Sequence, residues 1–126
     1  MQRVAADCQR TESSIAIITC ASSNHLSYAA FYTDATRDLY RDWWDIDPDT
    51  TAEIDGHAGD FSRSVIQPAE LQRVAESLLK ITPIPNFVFP PIAITEAFNI
   101  RNEWNFREYG WIGDAEYGLL AWETSA

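Results

Sequence analysis

Residues 42–60, DWWDIDPDTTAEIDGHAGD, carry seven carboxylates, two adjacent tryptophans and one histidine, with no lysine or arginine among them. Several chemistries can be tried on such a stretch. Asp45, Asp47 and Asp49 have the D-x-D-x-D spacing that lets alternate carboxylates converge on one hard cation. The remainder of an EF-hand loop is missing, because the sixth position is Thr50 where a glycine makes the turn, and the twelfth is Gly56 where a bidentate glutamate closes the shell. Asp55, His57 and Asp60 offer imidazole and carboxylate donors adequate for zinc or ferrous iron. They are crowded beside two glycines, however, and the only other histidine is the distant His25. Repelling carboxylates in a wet loop account for both sets more economically, and no metal or other cofactor is expected.

A nucleophile is the next candidate. Cys20 ends the apolar run SIAIITC and is followed by ASSNH, so that His25 is placed to act as its base. Neither a glycine elbow nor a C-x5-R phosphate loop surrounds Cys20 or Cys8, and a cysteine ending an apolar strand more often packs than reacts. A phosphate cradle is not readable either, since none of the five glycines forms G-x-G or G-x-x-x-x-G-K. A paired-carboxylate hydrolase has only abundance behind it, because 19 acids always offer some pair. No catalytic residue is assigned.

The last candidate is a binding surface. Residues 34–60 hold nine acids and two arginines, a local charge of −7 out of the total −10. Crowded charge of one sign repels itself, and a partner of opposite sign relieves the repulsion. Tyr40, Trp43 and Trp44 lie in the same stretch, and interface hot spots favour tryptophan and tyrosine. The expected partner-binding residues are Asp38, Tyr40, Asp42, Trp44, Asp45, Asp47, Asp49, Glu53, Asp55 and Asp60. The competing explanation is a solvated face over ordinary core aromatics.

Bulk properties limit the partners. The chain has 19 acids against 9 bases, and its field repels the phosphates of DNA, RNA and anionic lipid. Basic proteins are the natural counterpart. No apolar run is long enough to cross a bilayer, MQRVAADCQRTESS has no apolar signal-peptide core, and two cysteines in an unexported chain are expected to be free thiols. A cytoplasmic protein is expected. At 126 residues and 46% hydrophobic content the chain suits one domain, residues 1–126, able to fold on its own core.

The elements that must position these groups follow from periodicity. Residues 1–13 are polar and read as a loosely ordered arm. SIAIITC, residues 14–20, reads as a strand buried on both faces, paired in a hairpin with LSYAAFYT, residues 26–33. Asp34 is the expected cap of a helix over about 35–44, with Ala35, Leu39 and Trp43 along one side. A long loop follows, with a short strand near TAEI, and FSRSVI is a further strand. PAELQRVAESLLKI, residues 68–81, predicts the firmest helix, with Pro68 in its first turn and a stripe through Leu71, Val74, Ala75, Leu78 and Leu79. AFNIRNEWNFR, residues 97–107, alternates with period two through Phe98, Ile100, Trp104 and Phe106, which predicts one strand. NFVF and YGLLAWET are the remaining strands. The fold class expected is α+β, a small single domain with a largely antiparallel sheet and two helices.

Three functional readings are carried forward. The leading one is a small inhibitor or adaptor that docks on a basic, nucleic-acid-handling protein by presenting carboxylates in place of phosphates. Immunity proteins against nuclease toxins and phage anti-defence proteins work by this chemistry. The second is a small enzyme or ligand-binding domain with a pocket between sheet and helices, to be sought first around Cys20, His25, His57 and Trp104. The third is a structural or assembly subunit, a homodimer paired through the 97–107 strand.

Overall fold

The computed structural model describes residues 1–44, 63–89 and 93–125. Six strands form one sheet: β1 (Gln2–Cys8), β2 (Ser13–Ala21), β3 (Ser64–Ile66), β4 (Ile94–Asn102), β5 (Phe106–Gly113) and β6 (Glu116–Thr124). Their order is β1-β2-β6-β5-β4-β3, and every neighbouring pair is antiparallel. A 3-10 turn, Ser22–Asn24, and helix α1 (Tyr28–Trp44) follow β2, and helix α2 (Pro68–Ile81) follows β3. The protein is α+β, as its periodicities predict.

The helices cover opposite faces of the sheet. Ala16, Ile18 and Cys20 of β2 join α1's Phe31, Tyr32, Ala35 and Leu39, while Ile15 and Ile17 join α2's Leu71, Ala75 and Leu78. A central strand covered on both sides has no polar face, which is why SIAIITC is an unbroken apolar run. Strand β6 lies beside it and behaves alike, sending Leu119 and Ala121 to α1 and Leu120 and Trp122 to α2. Gly118 of β6 faces Trp111 of β5, and a Cβ there would fall on the indole ring, so the strand pairing requires glycine at this position.

Several expectations are corrected. Residues 2–8 are not an arm; they pair with β2 from Gln2 opposite Thr19 to Cys8 opposite Ser13. As an edge strand β1 buries little, so it leaves only a faint hydrophobic pattern. Residues 26–33 are not a strand. Helix α1 begins at Tyr28, and the Ser27 hydroxyl, not Asp34, caps it by accepting the Ala30 N–H at 3.2 Å. The alternation Leu26, Tyr28, Ala30, Tyr32 hid a longer helical stripe through Tyr28, Phe31, Tyr32, Ala35, Leu39 and Tyr40, and Leu26 lies outside the helix in solvent.

The 97–107 segment is a hairpin. Glu103 and Phe106 exchange backbone hydrogen bonds around a Trp104-Asn105 turn, which divides the segment into β4 and the start of β5. Phe98, Ile100 and Phe106 do share the α1 face, while Trp104 projects at the turn, 70% exposed. Strand β4 lies between β5 and β3, and β3 covers Ala97, Phe98 and Asn99 of it. NFVF is not a strand either. Asn86 takes a left-handed backbone conformation (φ 60°), and Phe89 still reaches the α2-side core, edge-on to Trp111 at 5.3 Å. FSRSVI contributes only Ser64–Ile66 to the described sheet, and the TAEI strand lies outside the described residues.

Candidate functional site

Helix α1 organises polar chemistry at both ends. At its start, the 3-10 turn folds the chain back immediately after β2. The Ser22 N–H donates to the Ala115 carbonyl at 2.9 Å and the His25 N–H to the Ser22 carbonyl at 3.3 Å. This fold-back seats the His25 ring against the strand end it has just left. His25 Nδ1 lies 3.7 Å from Cys20 Sγ, and His25 Nε2 lies 2.9 Å from Asp34 Oδ2. The Asn24 amide, through Nδ2, donates to the same sulfur at 3.6 Å.

Asp34 reaches the imidazole because α1 starts at Tyr28, which puts Asp34 in the second turn and not at the cap. Its other oxygen, Oδ1, lies 3.6 Å from Arg37 Nη1. Cysteine and aspartate flank opposite nitrogens of one ring, so the three groups form a row and do not converge on a common ion. Among the described residues no group of three or more histidine, cysteine or acidic side chains is arranged to hold a metal. Cys20 also borders an open depression of about 350 Å³ lined by Gln2, Thr19, Asn24 and Glu116.

In the middle of α1 a carboxyl group is fully enclosed. Glu108 of β5 is 0% exposed and accepts three hydrogen bonds, from the Tyr32 hydroxyl at 2.6 Å, the Tyr40 hydroxyl at 2.6 Å and Arg101 Nε at 3.0 Å. Burial pushes the Glu108 carboxyl above the ordinary glutamate range, against the pull of Tyr32, Tyr40 and Arg101. The same burial, together with the Glu108 charge, drives the Tyr32 and Tyr40 hydroxyls well above the usual tyrosine range. The three partners of Glu108 come from α1 and the neighbouring strand β4. It ties α1 to the sheet.

Of the expected partner-binding residues, Tyr40 is buried, with its hydroxyl donating to Glu108. At the end of α1, Trp44 is 42% exposed and rests on Tyr40, Trp43 and Phe106 at centroid distances of 4.9, 5.8 and 5.1 Å. Asp38 is exposed, whereas Asp42 is exposed but ion-paired with Arg3 of β1. With Arg37 and Arg41 on the same helix, the described part of the surface is close to neutral. The acidic residues Asp45, Asp47, Asp49, Glu53, Asp55 and Asp60, and with them the calcium-like and Asp55/His57/Asp60 sets, lie outside the described residues.

The sequence did not reveal Trp104 as a neighbour of the Trp44 end, nor Glu108 as the anchor of α1. Both depend on the hairpin at 103–106, whose only local signal is the asparagine-rich NEWN turn. Asp34 meets His25 only because α1 begins at Tyr28, before the start that the periodicity predicts. No helix among the described residues is long and apolar enough to cross a membrane. No protein-family model, curated protein or solved structure matches this chain.

Proposed function

We propose that the chain is a small protein-binding domain, an inhibitor or adaptor that docks on the basic surface of a nucleic-acid-handling protein and presents carboxylates where that partner expects phosphates. The observation that carries this reading is the pair of outward tryptophans at one end of the molecule. Trp44 closes α1 with nearly half its surface in solvent, and Trp104 tops the hairpin whose Phe106 ring lies against Trp44. Large aromatics left in water beside a rigid base are the usual anchors of a protein interface. The chain leaves α1 at that point into residues 45–60, which carry six carboxylates and no lysine or arginine. Aromatic anchors would supply affinity, and the acidic segment would supply encounter rate and choice of partner.

The experiment is a pull-down from the native host at low and high salt, with wild-type protein, Trp44→Ala and the triple variant Asp45→Lys, Asp47→Lys, Asp49→Lys. A basic protein should be retained by wild type, lost progressively with salt as charges are screened within about 8 Å at physiological ionic strength, and lost with the triple variant. Trp44→Ala should cost about 2 kcal/mol or more of binding. Capture that ignores salt and survives the triple reversal would remove the proposal.

A further inference from the structure

We propose that Cys20, His25 and Asp34 form a nucleophilic thiol site for acyl transfer, taking small polar esters or thioesters from the adjoining depression. This site lies at the opposite end of α1 from the tryptophan surface and does not depend on it. The two ends are separated by the ten residues from Asp34 to Trp44, roughly 15 Å at the helical rise.

A carboxylate can only accept, so the 2.9 Å contact requires His25 Nε2 to carry the proton it donates to Asp34 Oδ2. In the neutral ring Nδ1 then holds a lone pair, and that lone pair faces Cys20 Sγ at 3.7 Å. Asp34 thus sets the tautomer that makes His25 a base towards the thiol, and its charge stabilises the imidazolium that forms. A cysteine serving only as packing has no need of a base that is itself oriented by an acid.

Access and a donor complete the site. Cys20 is almost buried, at 7% exposed, yet it is part of the wall of the 350 Å³ depression. Asn24 Nδ2 points its N–H at the sulfur from 3.6 Å, close enough to meet an oxyanion developing on a carbon bonded to that sulfur. Glu116, opposite Ala21 in the sheet, lines the same depression beside Asn24, Thr19 and Gln2. With these polar side chains in its lining the depression suits a small polar acyl compound.

The thiol proton passes to His25 Nδ1 while sulfur attacks the acyl carbon, forming the C–S bond and an oxyanion. Collapse of that intermediate breaks the ester C–O bond (or the C–S bond of a thioester), and the leaving group takes the proton from Nδ1. Water then adds to the acyl-cysteine with Nδ1 accepting its proton, the C–S bond breaks, and the thiolate recovers a proton from the imidazolium as the carboxylic acid departs.

The test uses p-nitrophenyl acetate on the full chain in a Cys8→Ser background, so that Cys20 is the only thiol. A burst of one p-nitrophenolate per protein is expected, with the acetyl group found on Cys20 by peptide mass mapping. His25→Gln should slow the burst by about 100-fold or more, the usual worth of a positioned base. Asp34→Asn, at a half-exposed position that tolerates substitution, should slow it by at least about tenfold while the melting curve stays in place. Iodoacetamide, in which the C–S bond replaces C–I, should rank the variants in the same order. The proposal is overturned if Cys20 in the folded protein reacts no faster than the same thiol in the chain unfolded by denaturant. It is equally overturned if folded His25→Gln and Asp34→Asn acetylate at the wild-type rate.

Discussion

Helix α2 closes its side of the sheet with Leu71, Ala75 and Leu78 against Ile15, Ile17, Leu120 and Trp111, a contact made mainly of volume and apolar area, with polar bonds at its Thr82 cap, to Ser13 and Trp122. Helix α1 closes the other side with Tyr28, Phe31, Tyr32, Leu39 and Tyr40, and four of its side chains are committed to particular polar partners. The Tyr28 hydroxyl donates to the Gly118 carbonyl at 2.7 Å, Tyr32 and Tyr40 donate to Glu108, and Asp34 accepts from His25. An apolar contact tolerates sliding and repacking, whereas a hydrogen-bonded one holds a helix at a single position. Both candidate sites lie at the ends of the helix that is held in this way. A scaffold that must present Asp34 to an imidazole and Trp44 to a partner needs the second kind of packing.

The largest effects should appear when either face loses its centre. Leu71→Ala or Leu78→Ala should cost about 2 to 5 kcal/mol of folding stability, since both side chains are buried and leave a cavity. Glu108→Ala should cost a similar amount, about 3 to 5 kcal/mol, for a different reason: it leaves the Arg101 charge and two tyrosine hydroxyls without their acceptor. Shape-conserving changes separate the two cases. Leu71→Met should cost less than about 1.5 kcal/mol, while Glu108→Gln should still destabilise because it removes the charge opposite Arg101. Chemical denaturation of these variants measures this directly, and equal tolerance on both faces would break the comparison.

Acidity should sharpen it at intermediate magnitude. Burial raises the Glu108 carboxyl, so the folded protein keeps this proton at a pH where the unfolded chain, titrating near about 4.3, has already released it. The associated stability is complete below that unfolded value and is lost as pH rises through the folded one. Glu116 and Glu123 are shifted upward by burial as well, and the net charge of −10 repels itself increasingly over the same interval. Stability should therefore fall from mildly acidic to neutral pH, and Glu108→Gln should flatten the profile. A second loss is expected as pH rises above about 10, where unfolded tyrosines ionise while Tyr28, Tyr32 and Tyr40 are still held neutral by burial. Urea midpoints across pH, with tyrosinate absorbance on the alkaline side, check both limbs.

The smallest effect belongs to the surface. Arg3 and Asp42 form an ion pair between β1 and α1 with both side chains well exposed, so Arg3→Ala should change stability by less than about 1 kcal/mol and the change should vanish in salt. Its value lies in the contrast with the Glu108 variants, where the same kind of charge is enclosed. A large loss in Arg3→Ala would mean that the edge strand depends on α1 more than its exposure implies.

What the amino-acid sequence determined by itself is the part of the molecule in which local pattern and final environment agree. Helix α2 is legible because Pro68 sits at its start, its stripe recurs with helical period, and Pro83 follows its end. Strand β2 is legible because burial on both faces leaves an unbroken apolar run, and β6 nearly so. The free thiols are a matching expectation, and Cys8 and Cys20 are indeed unbridged. Tertiary structure decided the remainder. Strand β1 is a strand because β2 offers it an edge, not because of any pattern of its own. The segment at 26–33 satisfies period two as far as Tyr32, and only the sheet beneath selects the helical face from Tyr28 to Tyr40. Glu108 reads as one more acid among 19 until the hairpin at Trp104-Asn105 folds it under Tyr32 and Tyr40. The row from Cys20 through His25 to Asp34 required the helix start to be right, because moving Asp34 from the cap into the second turn brings its carboxylate to the imidazole. Side-chain groups that meet across elements are set by where the backbone travels between them, and spacing along the chain records that path only within a single element.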